Sequence, residues 1–334
     1  MKTKLISTVN TPLLGRACPE TSGGWGRLFL LLAFIGLSQM NAQVGIGTTS
    51  PDASSILDVT SPNDDKGFLP PRLTTAQRDA IASPAVGLTI FNTTNGCIEF
   101  YNGELWVSAC DGSLQPGPLT DCGGSFIAPF ITADETEIVE VTITTANGPQ
   151  TWMDRNLGAI TAARASDDCY AYGNLHQWGR GNDGHEDRNS SPDTGPKTAG
   201  NEGSDFLTNS NDWLSGQDDT RWGDPTPTDK NTLYDPCPAG YRVPSEAELI
   251  DLDATFATQD AAGAFGSLLK LPVAGRRSFS TSSASLADVG SEGHYWSSTV
   301  VNVSQANYLL FGSGFSITNN SNRAAGRSVR CIKD

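Results

Sequence analysis

Short alternating apolar runs, cut at close intervals by glycine, proline and asparagine, dominate this chain, and few apolar stripes recur at helical spacing. Val44-Gly45-Ile46-Gly47-Thr48-Thr49, Ile56-Leu57-Asp58-Val59 and Lys66-Gly67-Phe68-Leu69-Pro70-Pro71-Arg72 read as isolated strands or an extended stalk. Thr74, with Gln77 three residues later, opens a short capped helix that reaches about Ala82 and stops before Pro84. Leu88–Phe91, Cys97–Tyr101 and Leu105–Cys110 read as strands joined by turns at Asn95-Gly96 and Asn102-Gly103. A two-residue loop at Asn102-Gly103 sets Cys97 opposite Ser108, with Cys110 a diagonal away. That is too far for a bond unless a bulge shifts the register.

Gly112-Ser113-Leu114-Gln115-Pro116-Gly117-Pro118 reads as a linker, placed at 113–130 between a β-rich stalk and meander at 43–112 and a larger domain at 131–334. In that domain Ile138–Thr144 alternates as a strand and turns at Asn147-Gly148. A long Gly-, Asn- and Asp-rich loop runs from Gly179 to Asp235. Ser245 and Glu248 form a capping box before the apolar stripe Leu249, Leu252 and Phe256. Leu268–Val273, His294–Thr299, Tyr308–Ile317 and Ser328–Ile332 then read as strands, so the expected fold class is α+β.

Arg27 followed by Leu28–Leu37 and the small Ala42 matches a signal peptide over residues 1–42, and Leu28–Leu37 is too short to span a bilayer. A secreted or cell-surface protein is expected, with no membrane-spanning segment in the mature chain. The formal charge of the 334-residue chain is -15, with 18% charged and 37% hydrophobic residues. Removing Lys2, Lys4, Arg16, Arg27 and Glu20 with the leader makes the remainder more negative. Such a surface does not neutralise phosphate, which excludes nucleic acid as the expected partner. Loss of Cys18 leaves Cys97, Cys110, Cys122, Cys169, Cys237 and Cys331. An even count in an exported chain, with no CxxC pair, favours disulfides over zinc. The connectivity stays open by counting alone; the preferred set is Cys97–Cys110, Cys122–Cys169 and Cys237–Cys331.

Trp152-Met153-Asp154-Arg155-Asn156-Leu157-Gly158-Ala159, Tyr172–Arg180, Asp183-Gly184-His185, Asp235–Pro244, Leu271–Gly275, Tyr295–Thr299 and Ser328–Lys333 occur in order. This series resembles the Fibrobacter succinogenes major paralogous domain. The resemblance implies a C-type-lectin-like fold in an exported protein and transfers no catalytic residues. Val44–Thr48, Gly67–Arg72 and Phe100–Gly103 resemble the stalk-and-meander element of Bacteroidota surface proteins and phage tail fibres, which implies a homotrimer, with a monomeric spacer as the alternative. Pro244–Glu248 is also similar to formylglycine-generating enzymes, which need reactive, metal-binding cysteines. The same residues being the preferred staples argues against an enzyme.

No phosphate loop, nucleophile elbow or helical metal motif is present, and His176, His185 and His294 are scattered. Asp212, Asp218, Asp219 and Asp224 offer hard oxygen ligands on turn-forming backbone, as calcium requires, or are a solvated acidic loop. No other cofactor is expected. Trp213 and Trp222 lie in the polar loop and are the aromatic surface candidates, ahead of Trp178 and Trp296. Asn302, Asn307, Tyr308, Asn319, Asn320 and Asn322 are adaptable polar contacts of the kind recognition loops favour, or ordinary turn residues. Their position resembles the variable ligand-binding faces of C-type-lectin-like proteins diversified by retroelements. The main expectation is a non-enzymatic adhesion or binding module for an extracellular glycan or protein. The alternative is a structural, fibre-like assembly protein, with an enzyme related to the formylglycine-generating group last.

Overall fold

The computed structural model describes residues 43–118, 122, 127–223 and 233–334. The leader at 1–42, part of the expected linker and Asp224 lie outside the described residues. The chain divides into two compact units, broken between Leu69 and Pro70.

In the first unit β1 (Val44–Ile46) and β2 (Leu57–Val59) pair in parallel, Val44 against Leu57. The crossover is tied by side chains: the Gln43 amide donates to Asp52 O and Ser55 O, and Asp58 Oδ2 accepts from the Asp52 N–H at 2.9 Å. Gly47 is obligatory by geometry, since its φ is +77° and a Cβ there would lie 1.9 Å from Thr60 O.

The second unit opens with a five-stranded sheet. It contains β3 (Arg72–Leu73), β4 (Thr89–Asn92), β5 (Cys97–Tyr101), β6 (Trp106–Ser108) and β7 (Leu114–Gln115), in that order. Helix α1 (Thr75–Asp79) starts with the capping box read from the sequence: Thr74 Oγ1 accepts from Gln77 N, and Gln77 Oε1 accepts from Thr74 N. The β5–β6 turn corrects the expected register. Asn102 Oδ1 accepts from the N–H groups of both Glu104 and Leu105, which makes a four-residue loop. Glu99 then faces Ser108, the pairing advances by two residues, and Cys110 comes opposite Cys97. No bulge is needed for that disulfide.

Further along, the hairpin β8 (Glu140–Thr145) and β9 (Gly148–Met153) is extended by β20 (Ile332–Lys333) and β13 (Tyr241–Arg242). A meander of β16 (Gly293–Asn302), β17 (Gln305–Gly312) and β18 (Phe315–Asn322) forms the longest sheet. Short strands β10 (His176–Gln177), β19 (Gly326–Arg327), β14 (Arg276–Arg277) and β15 (Leu286–Ala287) make another sheet, and β11 (Pro192–Thr194) pairs with β12 (Phe206–Thr208).

Helix α2 (Glu246–Asp253) has the expected Ser245–Glu248 capping box and buries Leu249 and Leu252 in a cluster with Trp152, Leu309 and Phe311. Each such side chain contributes roughly 1.5–3 kcal/mol when fully buried. Helix α3 (Ala261–Gly266) completes that layer.

The α+β expectation is corrected to a mainly-β fold. Among the described residues the α-helices are 5, 8 and 6 residues long, and apart from a 3-10 turn at Cys169–Ala171 strands carry the rest of the regular structure. Glycines and asparagines recur too closely for longer helices to form. Two expected strands are also corrected. Leu268–Val273 pairs in no ladder, although Leu269, Leu271 and Val273 are buried. In the expected strand Ser328–Ile332 only the last residue enters β20, because Arg330 and its neighbours thread the core. Tyr308–Ile317 is broken by the turn at Ser313-Gly314 into β17 and β18.

All three preferred disulfides are present: Cys97–Cys110, Cys122–Cys169 and Cys237–Cys331. No helix among the described residues is long and apolar enough to cross a membrane.

Candidate functional site

Strand β5 carries the feature with the most consequence. Alternation puts Cys97 and Glu99 on one face, Ile98 and Phe100 on the other. The inward face carries the charge, beside buried Ile90 and Trp106. Glu99 is fully buried and accepts from Arg78 Nη1 at 2.9 Å, Asn92 Nδ2 at 3.0 Å and Asn95 Nδ2 at 2.8 Å. Arg78, also buried, reaches it from α1. The registers Phe91–Ile98 and Phe100–Val107 gather those four side chains on the opposite face. There Ile98 is 43% and Phe100 37% exposed, with Phe91 and Val107 half-buried. This is an apolar sheet face turned to solvent, backed by a buried ion pair. In the first unit, Val44, Ile46, Ile56, Leu57 and Val59 are all exposed, Ile56 by 82%. Sequence alternation located both faces of β5 but did not say which was covered. The signal available was Glu99 opposite an Arg-bearing capped helix.

The residues expected to bind a ligand are brought together only in part: Asn302, Asn307, Asn319, Asn320 and Asn322 lie on the β16–β18 meander, and the two tryptophans lie outside it. Trp213 and Trp222 are buried, at 1% and 2% exposure, which corrects their reading as surface aromatics. The Trp213 Nε1–H donates to Trp178 O, and the Arg180 and Arg221 guanidiniums stack on its ring at 5.2 and 4.9 Å. The Trp222 Nε1–H donates to Tyr234 O at 3.0 Å. Polar neighbours in sequence concealed this, because the arginines that cover the rings are themselves inside. Tyr308 is likewise buried, stacked on His294 and lying 3.5 Å from the Arg327 guanidinium carbon.

Asn302, Asn319 and Asn320 are exposed, and Asn307 pairs with Asn320 across β17 and β18. Asn319 pairs with Tyr308 and therefore faces the other side of the sheet. Asn302 caps the β16–β17 turn, and the Asn322 amide donates to Asn211 Oδ1. Asp212 and Asp219 face Arg323, while Asp218 holds the Thr220 N–H and lies 3.6 Å from Arg221. Arginine charges thus meet all three of these carboxylates.

Two other clusters bring ligand-type atoms together: Asp183, His185 and Glu186, and Asp288, Glu292 and His294. Both are already satisfied. His185 donates from Nδ1 to Asp183 and accepts the Gln177 N–H at Nε2. His294 accepts from Arg327 at Nδ1 and donates from Nε2 to Glu292. A metal at either ring would have to displace an arginine-supported network.

All three histidines are neutral in the fold. Burial pulls His185 down to about 4 and, with Arg327 nearby, His294 to about 2; burial also holds His176 well below its ordinary value. The unfolded chain binds protons at these rings from about pH 6.5 downward. Their contribution to stability is therefore complete above pH 6.5 and is lost as pH falls toward the folded values. Each ring adds a slope of up to about 1.4 kcal/mol per pH unit. Urea unfolding between pH 7 and 4.5 is expected to show this acid sensitivity. A His294→Gln chain should show a shallower slope, and an unchanged slope would remove His294 from the account.

Residues 45–121 match the family described as a phage tail like trimerisation region. No curated protein and no solved structure matches the chain.

Proposed function

We propose that the segment from Val44 to Cys110 assembles this chain into a homotrimeric, fibre-like structural protein outside the cytoplasm. The uncovered apolar face of Phe91, Ile98, Phe100 and Val107 carries the reading, and it falls within the matched trimerisation region. Exposed apolar faces of this kind mark association surfaces. Burying several large side chains, each worth roughly 1.5–3 kcal/mol, offsets an association cost of about 4–15 kcal/mol. The resemblance of residues 131–334 to the Fibrobacter succinogenes major paralogous domain supports a non-enzymatic display role, with an external glycan or protein as the object displayed to.

Light scattering of the full chain at micromolar concentration is expected to return three times the mass of one chain. Phe100→Lys combined with Ile98→Lys should return a single-chain mass with its far-UV circular dichroism unchanged. A wild-type monomer, or a variant that still trimerises, would contradict the assignment of this face.

A further inference from the structure

A cavity of about 310 Å³ opens in the second unit between Phe130, Tyr170, Tyr172, Leu286 and Val289, with Arg188 in its lining. That volume is at the lower end of small-molecule sites. Arg188 is anchored from behind. Its Nε donates to Gly173 O at 2.6 Å, Nη1 to Ala274 O at 3.0 Å and Nη2 to Tyr172 O at 3.4 Å. Its guanidinium lies 5.4 Å from the Tyr172 ring centre. Three of its five N–H groups are used, which leaves one on each terminal nitrogen.

No carboxylate among the described residues forms an ion pair with Arg188. Burial pulls its pKa down to about 10, so it stays charged at neutral pH without a counter-ion. Arg277, Arg327 and Arg330 also form no ion pair with a carboxylate among the described residues, but they are buried. Arg188 is half-buried and borders open space. Asp187 lines the same cavity, with its Oδ1 accepting from the Asn189 N–H at 2.8 Å.

We infer that this cavity is a binding site for a small carboxylate with an apolar, ring-sized body: the body lies among Phe130, Tyr170, Tyr172, Leu286 and Val289, and the carboxylate takes the two spare N–H groups of Arg188. The pairing is the forked geometry in which arginine is strongest. Asp187 opposes the anion from the rim and sets the affinity below what Arg188 alone would allow. None of the four side chains of the proposed assembly face lines this cavity.

The test is titration calorimetry of the full chain with 3-phenylpropionate and with its uncharged amide. The acid is expected to bind at least tenfold more tightly than the amide, and Asp187→Asn should tighten the acid alone. Arg188→Gln should abolish the preference between the two. Because Arg188 ties three carbonyls, that variant risks unfolding; Val289→Trp, at an exposed position on the rim, fills the cavity and should abolish binding of both probes with the melting temperature kept. Equal binding of acid and amide, binding of neither, or binding that survives Val289→Trp would overturn the proposal.

Discussion

The Cys237→Ala, Cys331→Ala chain is expected to lose about 4–5 kcal/mol of unfolding free energy relative to the wild type. The bond joins the loop before α2 to the approach to β20 across a separation of 94 residues, and both cysteines are buried. In the chain-entropy account the loss grows with the loop closed, so opening Cys97–Cys110, with a separation of 13, should cost less, about 3 kcal/mol. Guanidinium unfolding of the two double variants measures both. If removing the short bridge costs more than removing the long one, loop entropy is not what the long bridge supplies. The bond also bears on function, since a Cys237 and a Cys331 found as free thiols in the folded protein would reopen the case for reactive chemistry.

Arg330→Ala is expected to cost about 3–5 kcal/mol, through buried acceptors left without donors and the cavity it creates. Arg330 is 1% exposed. It donates from Nε and Nη2 to Asn156 Oδ1, at 3.0 and 2.8 Å, and from Nη1 to Met153 O and Leu269 O. One side chain therefore joins the end of β9, the Asn156 turn and the extended run after α3. Arg330→Met refills much of the volume but restores no donor. Thermal and urea unfolding should leave it nearly as unstable as Arg330→Ala. Recovery of most of the stability by Met would mean that packing, and not the hydrogen bonds, is what Arg330 contributes.

The parts of the fold legible in the sequence are those decided within a few residues. Thr74 with Gln77 and Ser245 with Glu248 open helices where read, because a capping box closes on its own backbone. The β5 span was read correctly from its alternation. The β5–β6 register was read two residues short, because Asn102 recruits two successive N–H groups and lengthens the loop, a choice invisible in the Asn-Gly pair. Leu268–Val273 was read as a strand because buried alternation looks the same with or without a ladder partner.

The candidate sites were less legible. Trp213 and Trp222 sit among polar neighbours, yet the same loop folds Arg180, Arg221 and the Tyr234 carbonyl onto them. Arg188 carried no signal at all: its significance is that it borders a cavity while no carboxylate among the described residues forms an ion pair with it.

Sequence alone determined the turns, the helix starts and the cysteines available for stapling, since each depends on local backbone chemistry or on composition. Only the tertiary structure decided which face of β5 is covered, where the arginines go and which cysteines meet. Alternation divides a strand into two faces without ranking them, and here α1 brings Arg78 to Glu99, so the face bearing Glu99 lies inside and the one bearing Ile98 and Phe100 faces water.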